Sequence, residues 1–159
     1  MMITLVTTLS FSFAMAQTDL EFPFQGGKKV MYDYFDSHIA VTPVIKQRAA
    51  SGLVVMKFTS DDKGNVTKMV VYYADDASLI EPIITALKTT DGKWIVPAKT
   101  KSYDFLIPFS ISINNPDAKV AEAMLAYYNS RQPISATDQI PLDTVSLLPT
   151  VQVRYTDEQ

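Results

Sequence analysis

The residues that could carry out acid–base chemistry in this chain are one histidine and two pairs of adjacent aspartates. His38 is the only histidine among the 159 residues, and it ends a predicted helix, where the helix terminus favours a cation. Asp61 with Asp62, and Asp75 with Asp76, could supply paired carboxylates for proton transfer or for calcium. Adjacent residues on an extended chain point to opposite sides, and aspartate is common at turns and helix starts. We therefore predict structural roles for all of them.

Other classes of catalytic site lack their essential residues. The sequence contains no cysteine, which excludes disulfides, thiolate metal sites and cysteine nucleophiles. It has no glycine-rich phosphate loop, no twelve-residue calcium loop, and no Ser-His-Asp set that avoids His38. A formal net charge of -3 gives no electrostatic reason to expect a nucleic acid partner. We expect a protein with no enzymatic activity, no cofactor and no metal.

The N-terminal segment has the pattern of an export signal. Residues 1–16 contain no charged residue, and most of them are apolar. Ala14, Met15 and Ala16 then provide the small-x-small pattern that signal peptidase cleaves. The segment is shorter than the roughly 20 apolar residues that a transmembrane helix needs. We predict a signal peptide at 1–16 and a mature chain without a membrane span; the alternative is a buried N-terminal strand.

Three segments show the helical spacing of apolar residues. In the first, 28–38, Val30, Tyr34 and Phe35 are predicted to face the core from their helical spacing. A second helix follows the capping residues 75–78. A third is predicted over 116–128, with proline at its first position.

Three other segments alternate as strands do. The first, 52–58, and the second, 66–73, are joined by a hairpin turn at 62–65. The period of the second strand shifts near Thr67, which predicts a bulge. The third strand, 103–113, has aromatic or aliphatic residues at every odd position. Its internal proline cannot donate a ladder hydrogen bond, so we expect an edge strand or a bulge.

The order of these elements resembles the C-terminal domain of the energy transducer TonB, over about 24–113. The matching positions are Phe24 with Gly26 and Gly27, Pro43, Gly52 with Val54 and Phe58, the turn 62–66, Trp94, Pro97 with Ala98, and Pro108 with Phe109. The resemblance implies a two-layer α/β sandwich with a small, mainly antiparallel three-stranded sheet and two packed helices. A C-terminal helix and an extended tail, 116–159, would follow this domain at 24–115. Trp94 is predicted to fill the core between helix and sheet.

The chain also departs from the family pattern. Thr42 stands where the family usually has a tyrosine, and 89–93 looks like a small insertion. A full transducer has an uncleaved membrane helix and a long proline-rich spacer, and neither is recognisable in this sequence. We therefore do not expect the chain to convey force from an inner-membrane motor.

The function that the resemblance implies is binding without catalysis, in the periplasm. An extended peptide of an outer-membrane transporter would pair with the edge of the third strand. The predicted partner-binding residues are Tyr103, Asp104, Phe105, Leu106, Ile107, Phe109, Ser110 and Ile111. The alternative is a structural or interaction protein of the envelope, for instance a homodimeric module, whose sheet edge is blocked by its own tail.

A second predicted interface lies on the face of the sheet opposite the helices. Leu53, Val55, Val70 and Tyr72 would form an apolar patch on that face, which is large enough to indicate an interface. We expect either the tail after residue 115 or another chain, such as a second copy, to cover it.

The tail itself, 131–159, is predicted to be extended, with a short strand at 151–155. Residues 142–148 loosely resemble the transporter box, which has an acidic or polar residue, a threonine and then aliphatic residues. A tethered segment has a high effective concentration at an unprotected edge. The tail could therefore inhibit the edge or exchange between two copies, and removal of 131–159 would then leave the core folded. The alternative is that the segment packs on the sheet as part of the core.

Overall fold

The computed structural model describes residues 22–137 and 145–156, which form four α-helices and one six-stranded sheet. The helices are α1 (Gly27–His38), α2 (Pro43–Gln47), α3 (Ile80–Lys88) and α4 (Ala118–Ser130). The strands are β1 (Gly52–Asp61), β2 (Val66–Ala74), β3 (Ser102–Ile113), β4 (Ile134–Ser135), β5 (Val145–Leu147) and β6 (Val151–Tyr155). None of the helices in these two ranges is long and apolar enough to cross a membrane. The predicted signal peptide at 1–16 and residues 142–144 of the box-like segment lie outside the described residues.

The strand order is β4-β2-β1-β3, and both β5 and β6 pair with the far edge of β3. β1 is antiparallel to β2 and β3, and β4 is antiparallel to β2, whereas β5 and β6 are parallel to β3. The prediction of a mixed α/β fold is confirmed. The predicted number of three strands was wrong, because the chain after α4 adds three short strands to the same sheet. The strand predicted at 151–155 is confirmed as β6.

The hairpin of β1 and β2 contains two bulges. One leaves Thr67 without a Cα partner on β1, which confirms the predicted bulge. The other leaves Tyr72 without a Cα partner on β1 and was not predicted from the sequence. This second bulge shifts the alternation, so that Ala74 rather than Tyr73 lies opposite Val54 on the core face.

The core lies on the face of the sheet that packs against the helices. Val54, Met56 and Phe58 of β1 are buried there, as their alternation predicted. The ring of Trp94 lies 4.5 Å from that of Phe58, and its indole N–H donates to the Thr90 hydroxyl at 2.7 Å. Trp94 is 2% exposed, which confirms its predicted place in the core.

The face that helix α1 presents to the core agrees only in part with the one predicted. Phe35 is fully buried, as predicted, and so is Met31, which was not predicted. Val30 is 45% exposed, and Tyr34 is half-buried with its hydroxyl donating to the Thr89 carbonyl at 2.6 Å. The prediction for Val30 was wrong. Met31 and Phe35 have the same helical spacing of four as Val30 and Tyr34, so only packing distinguishes the two pairs.

The strand β6 is part of the core. Its alternate side chains Val151, Val153 and Tyr155 are buried in the main hydrophobic cluster. The Tyr155 hydroxyl also donates to the Ala50 carbonyl at 2.8 Å, across 105 positions of sequence. This end of the tail therefore contributes to the stability of the fold.

Candidate functional site

The predicted binding strand, β3, lies inside the sheet. One of its edges pairs with β1 over 102–111. The other pairs with β5 over 104–106 and with β6 over 109–113. The prediction of an edge strand was therefore wrong, because residues 145–155 of the same chain supply the second neighbour.

The pairing of β3 with the tail is interrupted at its middle. β5 and β6 are joined by a three-residue link, 148–150. The Leu148 amide donates to the Leu106 carbonyl at 2.8 Å, and the next donor in a parallel ladder would be the amide of residue 108. Residue 108 is a proline, as is residue 149 on the link, and neither has an amide hydrogen. Separate sets of hydrogen bonds therefore hold β5 and β6.

The segment 145–148 buries one side chain fully, and Val145 and Ser146 are half-buried. Leu147 points to the face opposite the core and is 69% exposed. Leu148 is 3% exposed and belongs to the core cluster. The Ser146 hydroxyl lies 3.1 Å from the Tyr103 hydroxyl. With one buried aliphatic side chain, one hydroxyl pair and a three-residue ladder, we expect this segment to open more readily than β6.

The eight predicted partner-binding residues divide between the two faces of the sheet. Four of them point to the core face and are buried: Phe105, Ile107, Phe109 and Ile111. Tyr103 is half-buried at the edge of that face. The remaining three point to the opposite face and are half-buried: Asp104, Leu106 and Ser110. Because their side chains are buried or half-buried, what β3 can offer a partner at its tail-side edge is mainly its backbone N–H and C=O groups.

A compact polar cluster lies on the opposite face where β5 begins. The Lys57 ammonium is 2.7 Å from one Asp104 carboxylate oxygen, and the Thr59 hydroxyl donates to the other at 2.6 Å. Burial alone would raise the pKa of Asp104, but the hydrogen bonds from Lys57 and Thr59 outweigh it and lower the pKa from its ordinary value. Asp104 is thus a satisfied carboxylate that fixes the start of β3.

Asp76 has a similar environment at the turn before α3. Burial alone would raise the pKa of Asp76. Hydrogen bonds from the side chain and backbone of Ser78, together with the Arg48 guanidinium at 3.1 Å, outweigh burial and hold this pKa below its ordinary value. Its neighbour Asp75 accepts hydrogen bonds from the Leu53 amide and the Tyr73 hydroxyl. These carboxylates stabilise a turn, as predicted from their positions.

Acidification is expected to destabilise the fold through Asp76 and Asp104. Both folded-state pKa values lie below the ordinary 3.8. Their stabilising contribution is therefore complete above the unfolded pKa and is lost as the pH falls through the folded values. Urea denaturation between pH 7 and about pH 2.5 should show this fall in the free energy of unfolding. Asp104→Asn should lower that free energy at pH 7 and flatten the acid limb. An unchanged acid limb would contradict the assignment.

The other candidates for chemistry are engaged in local structure. His38 is the last residue of α1, and its ring stacks on Tyr34 at 3.9 Å. The Asp61 carboxylate accepts hydrogen bonds from the amides of Lys63 and Asn65 within the hairpin turn. In 22–137 and 145–156, no group of three or more histidine, cysteine, aspartate or glutamate residues is placed to hold a metal ion.

Three of the four residues of the second predicted interface lie together on one face of the sheet. Leu53, Val55 and Val70 lie on the face opposite the core, and Leu53 is 36% exposed. Tyr72 lies at the unpredicted bulge. The described tail strands extend the sheet at its edges and do not lie over this patch. Its role as an interface stays a prediction.

Ser146 and Leu148 belong to the segment 142–148 that was predicted as a candidate occupant of the edge, but no individual role was predicted for either residue from the sequence. Their alternation alone could not reveal a partner 43 positions away. Comparison of the chain with models of protein families, with curated proteins and with solved structures found no match.

Proposed function

We propose that the protein is a non-catalytic binding module that accepts an extended peptide along the first half of β3, in place of β5. The observation that supports this most strongly is the unequal anchoring of the tail. β6 places three side chains in the core, whereas β5 pairs with only three residues of β3 and ends where two prolines interrupt the ladder. A peptide can therefore replace β5 without disturbing β6.

The affinity of such a complex would come from backbone groups. Removal of β5 uncovers the backbone N–H and C=O groups that Asp104 and Leu106 direct to this edge. An incoming strand restores their hydrogen bonds. The chain's own segment lies parallel to β3, so the same edge is shaped for a parallel peptide. The resemblance to the TonB C-terminal domain suggests that the peptide is the N-terminal box of an outer-membrane transporter and that binding takes place in the periplasm.

The alternative function is a structural or interaction module of the envelope, in which β5 blocks the edge permanently. The complete pairing of β3 over 104–106 and 109–113 favours it. The two proposals differ in one measurable property, which is whether β5 can be replaced by a peptide from solution.

Two neighbouring leucines allow a matched test. The probe is a fluorescent peptide that copies residues 142–150, and anisotropy measures its binding to the full chain. Leu148→Ala removes the buried anchor of β5 and should increase the fraction of open edge, which lowers the apparent Kd by about tenfold or more. Leu147→Ala makes the same chemical change at an exposed position and should bind the probe as the unmodified chain does.

The same titrations distinguish the alternative. If neither variant bound the probe at high micromolar concentration, the edge would be permanently blocked and the structural module would be favoured. Equal binding to both variants would place the probe elsewhere on the protein. Peptides from the N-terminal boxes of outer-membrane transporters, added as competitors, then test the partner class: displacement of the probe supports it.

A further inference from the structure

The segment that occupies β3 shows which side chains the edge can recognise. In a strand, alternate residues point to one face. Ser146 and Leu148 point towards the core, because Ser146 is aligned with the buried Phe105. Leu147 points the other way and is exposed. Only two positions of the occupant are therefore in contact with side chains of the domain's core face.

The deeper of these positions is an aliphatic site. Leu148 is 3% exposed and is part of the cluster that includes Phe105 and Ile107. Burial of a leucine side chain is a large apolar contribution, whereas a charged or small side chain at that position would lose it. This site favours leucine or a similar aliphatic residue.

The other position, that of Ser146, makes one polar contact with the domain. Tyr103 packs edge-on against Phe105 at 5.2 Å between ring centres, which fixes its ring. Its hydroxyl lies 3.1 Å from that of Ser146, and either atom can be the donor. A peptide residue with a hydroxyl can form this hydrogen bond with Tyr103. An aliphatic residue at the same position would leave the Tyr103 hydroxyl without this partner.

We propose that Tyr103 and the Leu148 site together select the peptide: a serine or threonine two residues before a large aliphatic residue, with free choice at the residue between them. This inference rests on the proposed function, since it concerns the same edge. It adds a recognition pattern that follows from the register of β5 on β3. Tyr103 is the specificity-determining residue for the hydroxyl.

Competition on the Leu148→Ala protein tests this pattern. Unlabelled peptides copying 142–150 compete with the fluorescent probe, each with one change. The peptide with Leu148→Ala should bind about 30-fold more weakly or worse. The peptide with Leu147→Ala should stay within about twofold of the parent, because that side chain faces solvent. Equal effects of the two changes would overturn the aliphatic site.

A double-mutant cycle isolates the hydroxyl contact. The peptide with Ser146→Ala should bind about three- to tenfold more weakly to the Leu148→Ala protein. The same change should have almost no effect when the protein also carries Tyr103→Phe, which keeps the ring and removes the hydroxyl. An equal loss on both proteins would overturn the role of Tyr103. If the parent peptide itself did not bind, the proposed function would fail and this inference with it, which is a distinguishable result.

Discussion

Polar substitution of the buried side of β6 is expected to abolish the cooperative thermal unfolding of the protein. In the variant Val151→Asn/Val153→Asn, two buried side chains are replaced by amides that have no partners in the core. The combined cost is about 5 kcal/mol or more, which is comparable with the whole stability of a small domain. Circular dichroism at increasing temperature measures the loss.

The opposite side of the same strand provides the control. Gln152→Asn/Arg154→Asn introduces the same residue type at the two exposed positions of β6, and the melt should remain close to that of the unmodified chain. Loss of stability in both variants would mean that asparagine destabilises β6 at any position, and that burial of Val151 and Val153 is not the cause. Removal of 131–159 should likewise unfold the core, contrary to the expectation from the sequence, because it removes β6.

Replacement of the single tryptophan is expected to have the second large effect. The Trp94 ring lies within 4.5 to 5.5 Å of the rings of Phe58, Phe24 and Phe105. Trp94→Ala would leave a cavity among these aromatic groups and should cost about 3–5 kcal/mol in the free energy of unfolding. Urea denaturation at pH 7 measures this change.

A conservative variant separates packing from hydrogen bonding at this position. Trp94→Phe keeps an aromatic ring but removes the indole N–H that donates to Thr90. It should cost less than Trp94→Ala, and the difference reports the packing contribution. A cost below about 1 kcal/mol for Trp94→Ala would contradict a central role in the core.

The central strands could be predicted from sequence because one of their faces is buried. Val54, Met56 and Phe58 repeat with a period of two, and a shift of one residue would expose all three to solvent. Local signals of this kind do not mark every irregularity. The bulge at Tyr72 follows from how β2 meets β1 and leaves no trace in a sequence where both neighbouring residues, Val71 and Tyr73, suit a strand equally well.

The candidate site was predicted less completely, for a related reason. The family resemblance predicted that a peptide pairs with β3, and the box-like segment in the tail was considered as one occupant. Within the described part of that segment, 145–148, residues 145–147 pair with β3 and the Leu148 amide donates to Leu106. A three-residue strand has too short a period to specify its partner or direction, so the parallel register, and with it the roles of Tyr103 and Leu148, required the three-dimensional structure.

We expect β5 to give way to a peptide while β6 stays in place, and amide hydrogen exchange can measure both. Isotopically labelled protein is saturated with the unlabelled peptide that copies residues 142–150, and exchange is followed at each amide by NMR. The Leu148 amide, which donates to Leu106 in the free protein, should lose its protection, while the amides of β6 keep theirs. A Leu148 amide that stays protected while the peptide is bound would contradict this expectation.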